Sequence, residues 1–315
     1  SYTSSKADEK NIKYYSKDEG ILSIMYHRFN ETKYPSTNIQ MDIFKEHIQL
    51  IKNSSFNFLN PNKFKEQFSI VKSKKEILIT IDDAFESFYF EAWPYLKKNK
   101  IPFILFVSTE PVGKNGYMTW DQIREIEKET FVKIGHHSHS HNYLIDGTTD
   151  EFIKDIEKAN KIFLKEIDYI PNLFSYPFGE YSKFMTDYIS KNFDFAFGQH
   201  SGVIDVNKNK FELPRFPINE KYGELIRFDS IINYFPLEYK KLLPEEKLLN
   251  KNTNPPKFKV EFFKEQENLK NINCYSNEAN TWAKSKTKFS ELTLTIEFRA
   301  KFEPRRGRIN CSLND

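Results

Sequence analysis

Short apolar runs alternate with amphipathic segments from about residue 20 to 217. The runs GILSIMYHRF, KKEILITIDDAF, IPFILFVST and VKIGHHSHSHNYL predict strands, because each is a brief, nearly continuous apolar stretch. Between them, segments such as MDIFKEHIQLIKNS and TDEFIKDIEKANKIFLKEI place apolar residues at helical spacing. Strands that alternate with helices are typical of βα units around a parallel sheet or barrel. We therefore predict an α/β fold for this part of the chain.

The pattern changes towards the C-terminus. The stretch YFPLEYKKLLPEEKLLNKNTNPPKF mixes charges and prolines without periodicity, which is typical of a linker. After it, KFKVEFF, NINCYS, ELTLTIEFRAKF and RGRINCSL alternate in the manner of short antiparallel strands. A chain of 315 residues also exceeds what one hydrophobic core usually holds. We predict four regions: an N-terminal extension (1–19), a barrel (20–235), a linker (236–256) and a small β-rich module (257–315).

Composition narrows the classes of partner. The 47 basic and 44 acidic residues give a net charge of +3, and no Lys/Arg stripe stands out, which argues against nucleic acid. No apolar run is long enough to predict a transmembrane segment. The opening SYTSSKADEKNIKYY lacks the apolar centre of a signal peptide, so an exported protein would already have lost its signal. Cys274 and Cys311 could form one disulfide in an oxidising compartment, and a pair of small buried residues is an equally good interpretation.

Two adjacent carboxylates, Asp82 and Asp83, follow a predicted strand. In parallel α/β folds, active sites form at the carboxyl ends of the strands. Burying two acids without partners would cost several kcal/mol, so we expect a cationic group nearby. The alternative is that one aspartate caps the following helix and the other is solvated.

Four of the seven histidines cluster after another predicted strand; they are His136, His137, His139 and His141. His137 and His141, spaced i and i+4, would lie on one face of a helical turn, and the other two would point elsewhere. Two imidazoles and one carboxylate make a three-ligand site that suits zinc or another divalent transition metal in hydrolysis. If Asp83 is the carboxylate, Asp82 remains beside the metal as a general base.

Three motifs together resemble those of the polysaccharide deacetylases, also known as carbohydrate esterase family 4 or the NodB homology group. TIDDAFES (80–87) resembles the T-F-D-D-G motif of that family, HSHSH (137–141) its H-S/T-x-x-H motif, and SYPFGEY (175–181) its R-x-P-Y groove motif. The motifs agree in order, spacing and strand-end context across about residues 20–217. The resemblance implies a distorted (β/α) barrel with a metal at its mouth.

The resemblance also implies roles for individual residues. It implies three metal ligands, which are Asp83, His137 and His141. It implies that Asp82 is the base that takes a proton from the attacking water. MYHRF is similar to the YH stretch of exported poly-N-acetylglucosamine deacetylases, which makes His27 the candidate general acid. His200 in FGQHSG is a competing candidate for that role.

This chain departs from the family pattern at several positions. The glycine of the first motif is Ala84, and the arginine of the groove motif is Ser175. Arg215 in LPRF could supply the missing positive partner of the base. The tyrosine of the groove motif is Phe178, which keeps an aromatic wall without a hydroxyl.

A substrate-binding set follows from the groove motif and its surroundings: Tyr176, Pro177, Phe178, Trp120 and Arg215. Trp120, Tyr176 and Phe178 could stack on a sugar ring, although ordinary aromatic packing explains Trp120 equally well. We also expect a backbone N–H within residues 176–178 to stabilise the oxyanion.

The resulting expectation is metal-dependent hydrolysis of N-acetyl groups on a GlcNAc-containing polysaccharide, with release of acetate. The metal is expected to be Zn²⁺, with Co²⁺ or Ni²⁺ as alternatives, and the location periplasmic or extracellular rather than cytoplasmic. Alternatives are an O-acetyl xylan or glycan esterase, a small-amide hydrolase of the same fold, or an inactive carbohydrate-binding homologue. The intact Asp82 argues against the last of these. The oligomeric state is left open.

The C-terminal module has two interpretations of its own. It could bind a glycan or a partner while the barrel catalyses. Arg305, Arg306 and Arg308 in EPRRGRINC could then meet anionic sugars, and a solvated basic turn is the competing interpretation.

Overall fold

The computed structural model describes residues 14–263 and 268–313 and divides into two compact units. The larger unit is Ser16–Pro236. The smaller unit contains the described residues from Leu237 onward together with Tyr14 and Tyr15. Among the described residues, none of the helices combines the length and the apolar character that crossing a bilayer requires.

Ten strands form in the larger unit. They are β1 (Ile21–Tyr26), β2 (Arg28–Phe29), β3 (Asn38–Ile39), β4 (Asn57–Phe58), β5 (Glu76–Asp82), β6 (Phe103–Val107), β7 (Val132–His136), β8 (Leu173–Ser175), β9 (Phe195–Phe197) and β10 (Phe216–Pro217). The main sheet has the parallel order β10-β1-β5-β6-β7-β8-β9, with β4 added beside the start of β5. β2 and β3 pair separately.

Seven α-helices connect these strands. They are α1 (Met41–Asn53), α2 (Phe64–Phe68), α3 (Trp93–Asn99), α4 (Trp120–Glu127), α5 (Thr149–Ile167), α6 (Lys183–Asn192) and α7 (Leu225–Ile232). A π-helical segment, Phe88–Ala92, precedes α3, and single 3₁₀ turns lie at Pro61–Lys63, Leu144–Asp146 and Pro177–Gly179. Local sequence sets several helix starts: Thr119 and Gln122 form a capping box on α4, and the Thr148 hydroxyl accepts the Glu151 N–H at the start of α5.

One short segment joins the two edges of the main sheet. Leu213 bridges Phe197 of β9 in parallel, and three residues later Phe216 of β10 pairs with Ile24 of β1. The sheet therefore closes into a distorted (β/α) barrel, which confirms the predicted fold class.

The strands separate two cores by simple alternation. On β5, Ile77, Ile79 and Ile81 pack in the cluster that contains the helices, and Leu78 packs in a second cluster with Ile104 and other strand residues inside the barrel. Successive side chains of a strand point to opposite faces, so the even-numbered residues of β5 face the barrel interior.

The smaller unit contains antiparallel strands, which confirms the predicted β-rich module. They are β11 (Lys241–Leu243), β12 (Lys259–Glu261), β13 (Asn273–Ser276), β14 (Ala283–Lys284), β15 (Lys286–Ser290), β16 (Thr293–Glu297) and β17 (Ile309–Ser312), with 3₁₀ turns at Leu269–Asn271 and Glu278–Asn280. They form two sheets, β11-β12-β16-β15 and β14-β13-β17. The segment 236–256 is not only the linker that we predicted, since β11 lies within it and pairs with β12.

A disulfide joins Cys274 of β13 to Cys311 of β17, which are directly opposite each other in the sheet. The structure therefore agrees with the interpretation that these two cysteines form a disulfide. The bond lies on the buried face of the sheet, where Cys274 is fully buried among the apolar residues of the smaller unit.

His47 on α1 predicts how acid affects the stability of the barrel. Its ring is buried against Phe228 and hydrogen-bonded to the Tyr26 hydroxyl and the Gly223 carbonyl, and burial lowers its pKa from 6.5 to about 4. Above pH 6.5 this histidine costs nothing, because it is neutral in both states. As the pH falls from 6.5 to about 4, only the unfolded chain takes up the proton, so up to about 3 kcal/mol of stability is lost.

Denaturant unfolding at a series of pH values measures this loss. We expect the His47→Gln variant to have a smaller dependence of the free energy of unfolding on pH between 6.5 and 4 than the unmodified chain. An unchanged pH dependence in the variant would show that His47 is not the responsible group.

Candidate active site

Strand alternation selects which polar side chains enter the barrel. Asp82 lies four residues after Leu78 on β5 and shares its inward face. On β7, Val132 and Ile134 pack towards the helices, so the next inward position after Gly135 is His137. Fully buried polar side chains therefore meet inside the barrel: Thr80, Asp82, His137, Ser175 and Arg215. Asp82 and Ser175 end β5 and β8, His137 follows β7, and Arg215 directly precedes β10.

Asp82 is held by Arg215 through two parallel hydrogen bonds. The Arg215 Nη1 and Nη2 groups donate to Asp82 Oδ1 and Oδ2 at 2.7 and 2.9 Å, and both side chains are fully buried. Burial would raise the pKa of Asp82, but the charges of Arg215 and His137 outweigh it and lower the pKa. Asp82 is therefore an ionised, fixed carboxylate, and it neither caps a helix nor lies in solvent.

Arg215 uses all five of its N–H donors within the barrel. Besides its two bonds to Asp82, it donates to the Gly198 carbonyl at 2.8 Å, to Thr80 Oγ1 at 3.1 Å and to Ser175 Oγ at 2.8 Å. Ser175 stands where the family motif has arginine. Arg215 takes the place of that motif arginine and donates a hydrogen bond to Ser175 Oγ. The prediction that Arg215 binds substrate is wrong, because its donors are all engaged by protein groups.

The histidine segment is an irregular loop, and the expectation of a helical turn is wrong. Ser138 and His141 have left-handed φ angles of 73° and 53°. Polar contacts hold the loop in place of helical hydrogen bonds: Ser138 Oγ accepts the His141 N–H, and Asp155 on α5 accepts the N–H groups of His139 and Ser140. This loop still brings His137 and His141 to one point.

The two histidines meet Asp83 at a common centre. Nε2 of His137 and Nε2 of His141 lie 3.1 and 3.0 Å from Asp83 Oδ1, and one ligand atom from each residue lies within 4.8 Å of the others. Burial would raise the pKa of Asp83, but the facing histidines lower it well below its usual range. A carboxylate and two imidazoles that converge in this way are suited to hold a divalent metal.

The proton positions at this centre fit a metal. His137 Nδ1 lies 2.7 Å from the Ser175 carbonyl, which can only accept, so Nδ1 carries a proton and Nε2 is the nitrogen that faces Asp83. His137 Nε2 and Asp83 Oδ1 are both buried without a hydrogen-bond partner. These two atoms lie 3.1 Å apart, and a cation bound beside them would interact favourably with both. The donor set therefore fits a divalent transition metal.

Backbone conformation turns the Asp83 side chain towards the histidines. Asp83 and the following Ala84 both have left-handed φ angles, 80° and 54°. The Asp83 N–H is anchored on the Phe106 carbonyl, and the Ala84 carbonyl accepts the Met118 N–H. Ala84 stands where the family motif has glycine, and an alanine tolerates this conformation at a cost of about 1–2 kcal/mol.

The other two histidines of the cluster do not join the centre. His136 is buried on the helix side, with Nε2 on Asn160 and Nδ1 accepting the Ser138 N–H, and burial lowers its pKa to about 3. His139 Nδ1 lies 2.7 Å from Thr109 Oγ1. Both rings support the loop from outside the metal centre.

The structure places the two candidate acids differently. His27 is nine-tenths buried, and its Nε2 lies 4.0 Å from Asp83 Oδ2. Burial lowers the pKa of His27, and the charges of Asp83 and Asp82 oppose that effect. His200 follows β9 with its ring 6.3 Å from that of Tyr181. His27 thus lies beside Asp83, and its role as general acid stays a prediction.

Two of the predicted sugar-stacking residues do not face the groove. Tyr176 is fully buried with its hydroxyl on the Phe211 carbonyl, and Pro177 is buried beside it. Trp120 packs edge-on against Phe163 in the helix layer. This contact favours ordinary aromatic packing over sugar stacking for Trp120. Two of the three residues within 176–178 do not supply the expected oxyanion donor. Pro177 has no N–H, and the Tyr176 N–H donates to the Phe197 carbonyl.

Phe178, which we predicted as an aromatic wall, lies beside His141 and has a partner that sequence reasoning missed. Its ring lies 4.8 Å from that of His141 and stacks on Tyr143, with centroids 4.1 Å apart and planes 14° from parallel. Tyr143 is 48% exposed. Its position two residues after a metal ligand was the signal available in the sequence.

Part of the barrel matches a known protein family, and a larger part of the chain is similar to a characterised relative. Residues 70–195 match the family model described as polysaccharide deacetylase. The poly-beta-1,6-N-acetyl-D-glucosamine N-deacetylase of Staphylococcus aureus (strain NCTC 8325 / PS 47) is 25% identical over 244 residues, 67% of this chain and 82% of that protein.

Solved structures of similar fold cover the same part of the chain. IcaB from Ammonifex degensii aligns with a TM-score of 0.62 and 22% identity over 70% of this chain and 100% of that one. The Streptococcus pyogenes deacetylase PplD, solved in complex with acetate, aligns with a TM-score of 0.59 and 21% identity over 65% of this chain and 95% of that one. The shared feature is the barrel fold.

The geometry predicts metal binding that depends on His137. We expect one divalent ion per chain, and His137→Ala should weaken its binding by more than about a hundredfold because a ligand is lost. His139→Gln is the matched control and should retain the ion. Metal content after dialysis, measured by mass spectrometry, tests both variants. Loss of the ion in His139→Gln would contradict the division of the cluster.

The buried ion pair predicts a non-additive effect on stability. Arg215→Met should lower the free energy of unfolding by about 3–5 kcal/mol, because it leaves the Asp82 charge buried without a partner. Removing both charges, with Asp82→Asn and Arg215→Met together, should cost less than Arg215→Met alone. Lys114→Met, which breaks the exposed pair with Glu110, is the control and should change little. Denaturant unfolding with additive effects would contradict the pairing.

Proposed function

We propose that this chain, whose barrel belongs to the polysaccharide deacetylase family, is a metal-dependent hydrolase that removes N-acetyl groups from a GlcNAc-containing polysaccharide. Acetate is the released product. The observation that carries the proposal is the centre itself: three convergent ligands beside a carboxylate whose charge is fixed by a buried arginine. The likeness of the chain to a poly-beta-1,6-N-acetyl-D-glucosamine N-deacetylase supports this substrate class.

Asp83, His137 and His141 would hold the metal. Two nitrogens and one carboxylate oxygen suit Zn²⁺, and Co²⁺ or Ni²⁺ accept the same ligands. When bound, the ion supplies Lewis-acid chemistry, lowering the pKa of water and polarising the acetyl carbonyl. The Ser175 carbonyl keeps the His137 proton on Nδ1, which leaves Nε2 available as a ligand.

Asp82 is the proposed general base. The charges of Arg215 and His137 outweigh burial and lower its pKa, so the carboxylate is ionised and can accept a proton from the water that attacks the acetyl carbon. Arg215 is a positioning residue, since its two bonds fix the plane of the carboxylate. The Asp82 Oδ2 atom, 3.9 Å from His137 Nε2, lies beside the metal ligands.

His27 is the proposed general acid. A ring nitrogen beside Asp83 can receive a proton and donate it to the departing sugar amine, which cannot leave as an anion. The stacked Phe178 and Tyr143 rings would form one wall for the sugar next to His141. We further propose a periplasmic or extracellular location, supported by the disulfide in the smaller unit.

Acetate release from defined polymers tests the function. We expect release from poly-β-1,6-N-acetylglucosamine, abolished by a chelator and restored by Zn²⁺. Asp82→Asn should keep the metal and lose at least about a hundredfold in rate, whereas His137→Ala should lose both. The control His139→Gln should release acetate normally. Near-full turnover by Asp82→Asn would reject the base, and release only from acetylated xylan would favour the O-acetyl esterase alternative.

The leaving group separates the acid from the base in the same assay. His27→Ala should slow hydrolysis of the N-acetyl amide by about 10²–10⁴-fold and affect 4-nitrophenyl acetate far less, because nitrophenolate leaves without a proton. Asp82→Asn should slow both substrates. Equal losses on the two substrates in His27→Ala would contradict its role as acid.

A further inference from the structure

The three-stranded sheet of the smaller unit has one buried and one exposed face. Cys274 and Ser276 of β13 point inwards and are fully buried, and Tyr275 between them is 41% exposed. Tyr275 lies opposite Lys284 of β14 and Asn310 of β17, so these three side chains share the outer face.

Trp282 completes a pair of aromatic rings on this face. It lies two residues before Lys284 and is 49% exposed, and its ring lies 6.4 Å from that of Tyr275 with the planes 20° from parallel. Single exposed aromatic residues are ordinary. Two large, partly exposed rings held nearly parallel to each other are a less common use of surface.

We propose that this outer face, defined by Tyr275, Trp282, Lys284, Arg308 and Asn310, is a second carbohydrate-binding surface that takes a neutral, N-acetylated glycan chain. The face lies in the smaller unit, whereas the metal centre lies in the barrel. The identity of the sugar rests on the proposed function.

The chemistry of the face matches a pyranose chain. The C–H groups on one face of a β-linked pyranose carry partial positive charge and are apolar, and they complement the negative face of an aromatic ring. Two nearly parallel rings offer such faces to successive sugars. Asn310 and the adjacent Ser312 are exposed on β17 and can hydrogen-bond to sugar hydroxyl and acetamido groups.

Charge selects among glycans. The strand positions on this outer face are Asn273, Tyr275, Lys284, Asn310 and Ser312, and Trp282 and Arg308 lie just before β14 and β17. Together these residues carry two cations and no acidic group. A deacetylated chain is itself cationic and is repelled by such a surface, whereas an acetylated chain is neutral. The surface would therefore hold substrate in preference to product.

Tryptophan fluorescence of the full chain reads this surface directly. Trp93 is 4% exposed and Trp120 is half-buried, so Trp282 is the tryptophan most accessible to a ligand. With the metal removed by chelator to prevent turnover, a β-1,6-linked GlcNAc pentamer should change the emission saturably. Tyr275→Ala should weaken that binding at least about tenfold.

Two controls define the result. Phe184→Ala removes an aromatic ring of similar exposure, 41%, on α6 of the barrel and should leave the binding unchanged. The fully deacetylated pentamer should bind several-fold more weakly than the acetylated one. Hydrolysis of 4-nitrophenyl acetate by the metal-loaded Tyr275→Ala and Trp282→Ala variants should equal that of the unmodified chain, and Trp282→Ala should be retained less on immobilised polymer.

The outcomes separate this proposal from the catalytic one. Acetate release without any emission change, or equal binding by Tyr275→Ala and the unmodified chain, would overturn the surface and leave the enzyme standing. Binding that depends on Tyr275 without acetate release would support the surface and reject the catalytic function. Equal or tighter binding of the deacetylated pentamer would overturn the commitment to a neutral chain.

Discussion

The buried pair of Asp82 and Arg215 is the interaction on which the interior of the barrel depends. A charged carboxylate at this depth is tolerable only with an equally buried cation and a full set of hydrogen bonds. Arg215 satisfies that condition with five donated bonds, which reach Gly198, Thr80, Ser175 and both Asp82 oxygens. Three strand ends and the segment that closes the barrel therefore share one polar network, so the geometry of closure and the charge of Asp82 depend on the same hydrogen bonds.

Alternation along the strands then distributes the remaining residues. It turns His137 inwards and His136 outwards, although they are neighbours, and it does the same for Ser175 and Tyr176. Gly135 belongs to this arrangement: a Cβ there would come within 2.3 Å of the Phe106 ring, which fills the interior below the metal ligands. The tight packing below leaves the strand ends as the place where polar side chains can converge.

Much of this organisation could be predicted from the sequence, because it follows from periodicity and motifs that span only a few residues. The alternation of apolar runs and helices predicted the barrel, and the motifs brought Asp83, His137 and His141 into consideration together. The helical turn from His137 to His141 was wrong, because the i, i+4 spacing fits equally well a loop that Ser138 and the distant Asp155 hold in a left-handed conformation. The prediction placed Tyr176 in the groove because of its motif. Alternation along the strand instead points its side chain away from the barrel interior. The pairing of Phe178 with Tyr143 depends on tertiary contact, which no local pattern encodes.

The attachment of the histidine loop to α5 has a thermodynamic consequence. Asp155 accepts backbone N–H groups of the loop between the two histidine ligands, so the helix and the metal centre are parts of one cooperative unit. A ligand that binds only the folded loop stabilises the folded loop and the helix together. Unfolding of the helix would therefore release that ligand. Occupancy of the centre and the rate of hydrogen exchange of the α5 amides should then report the same equilibrium.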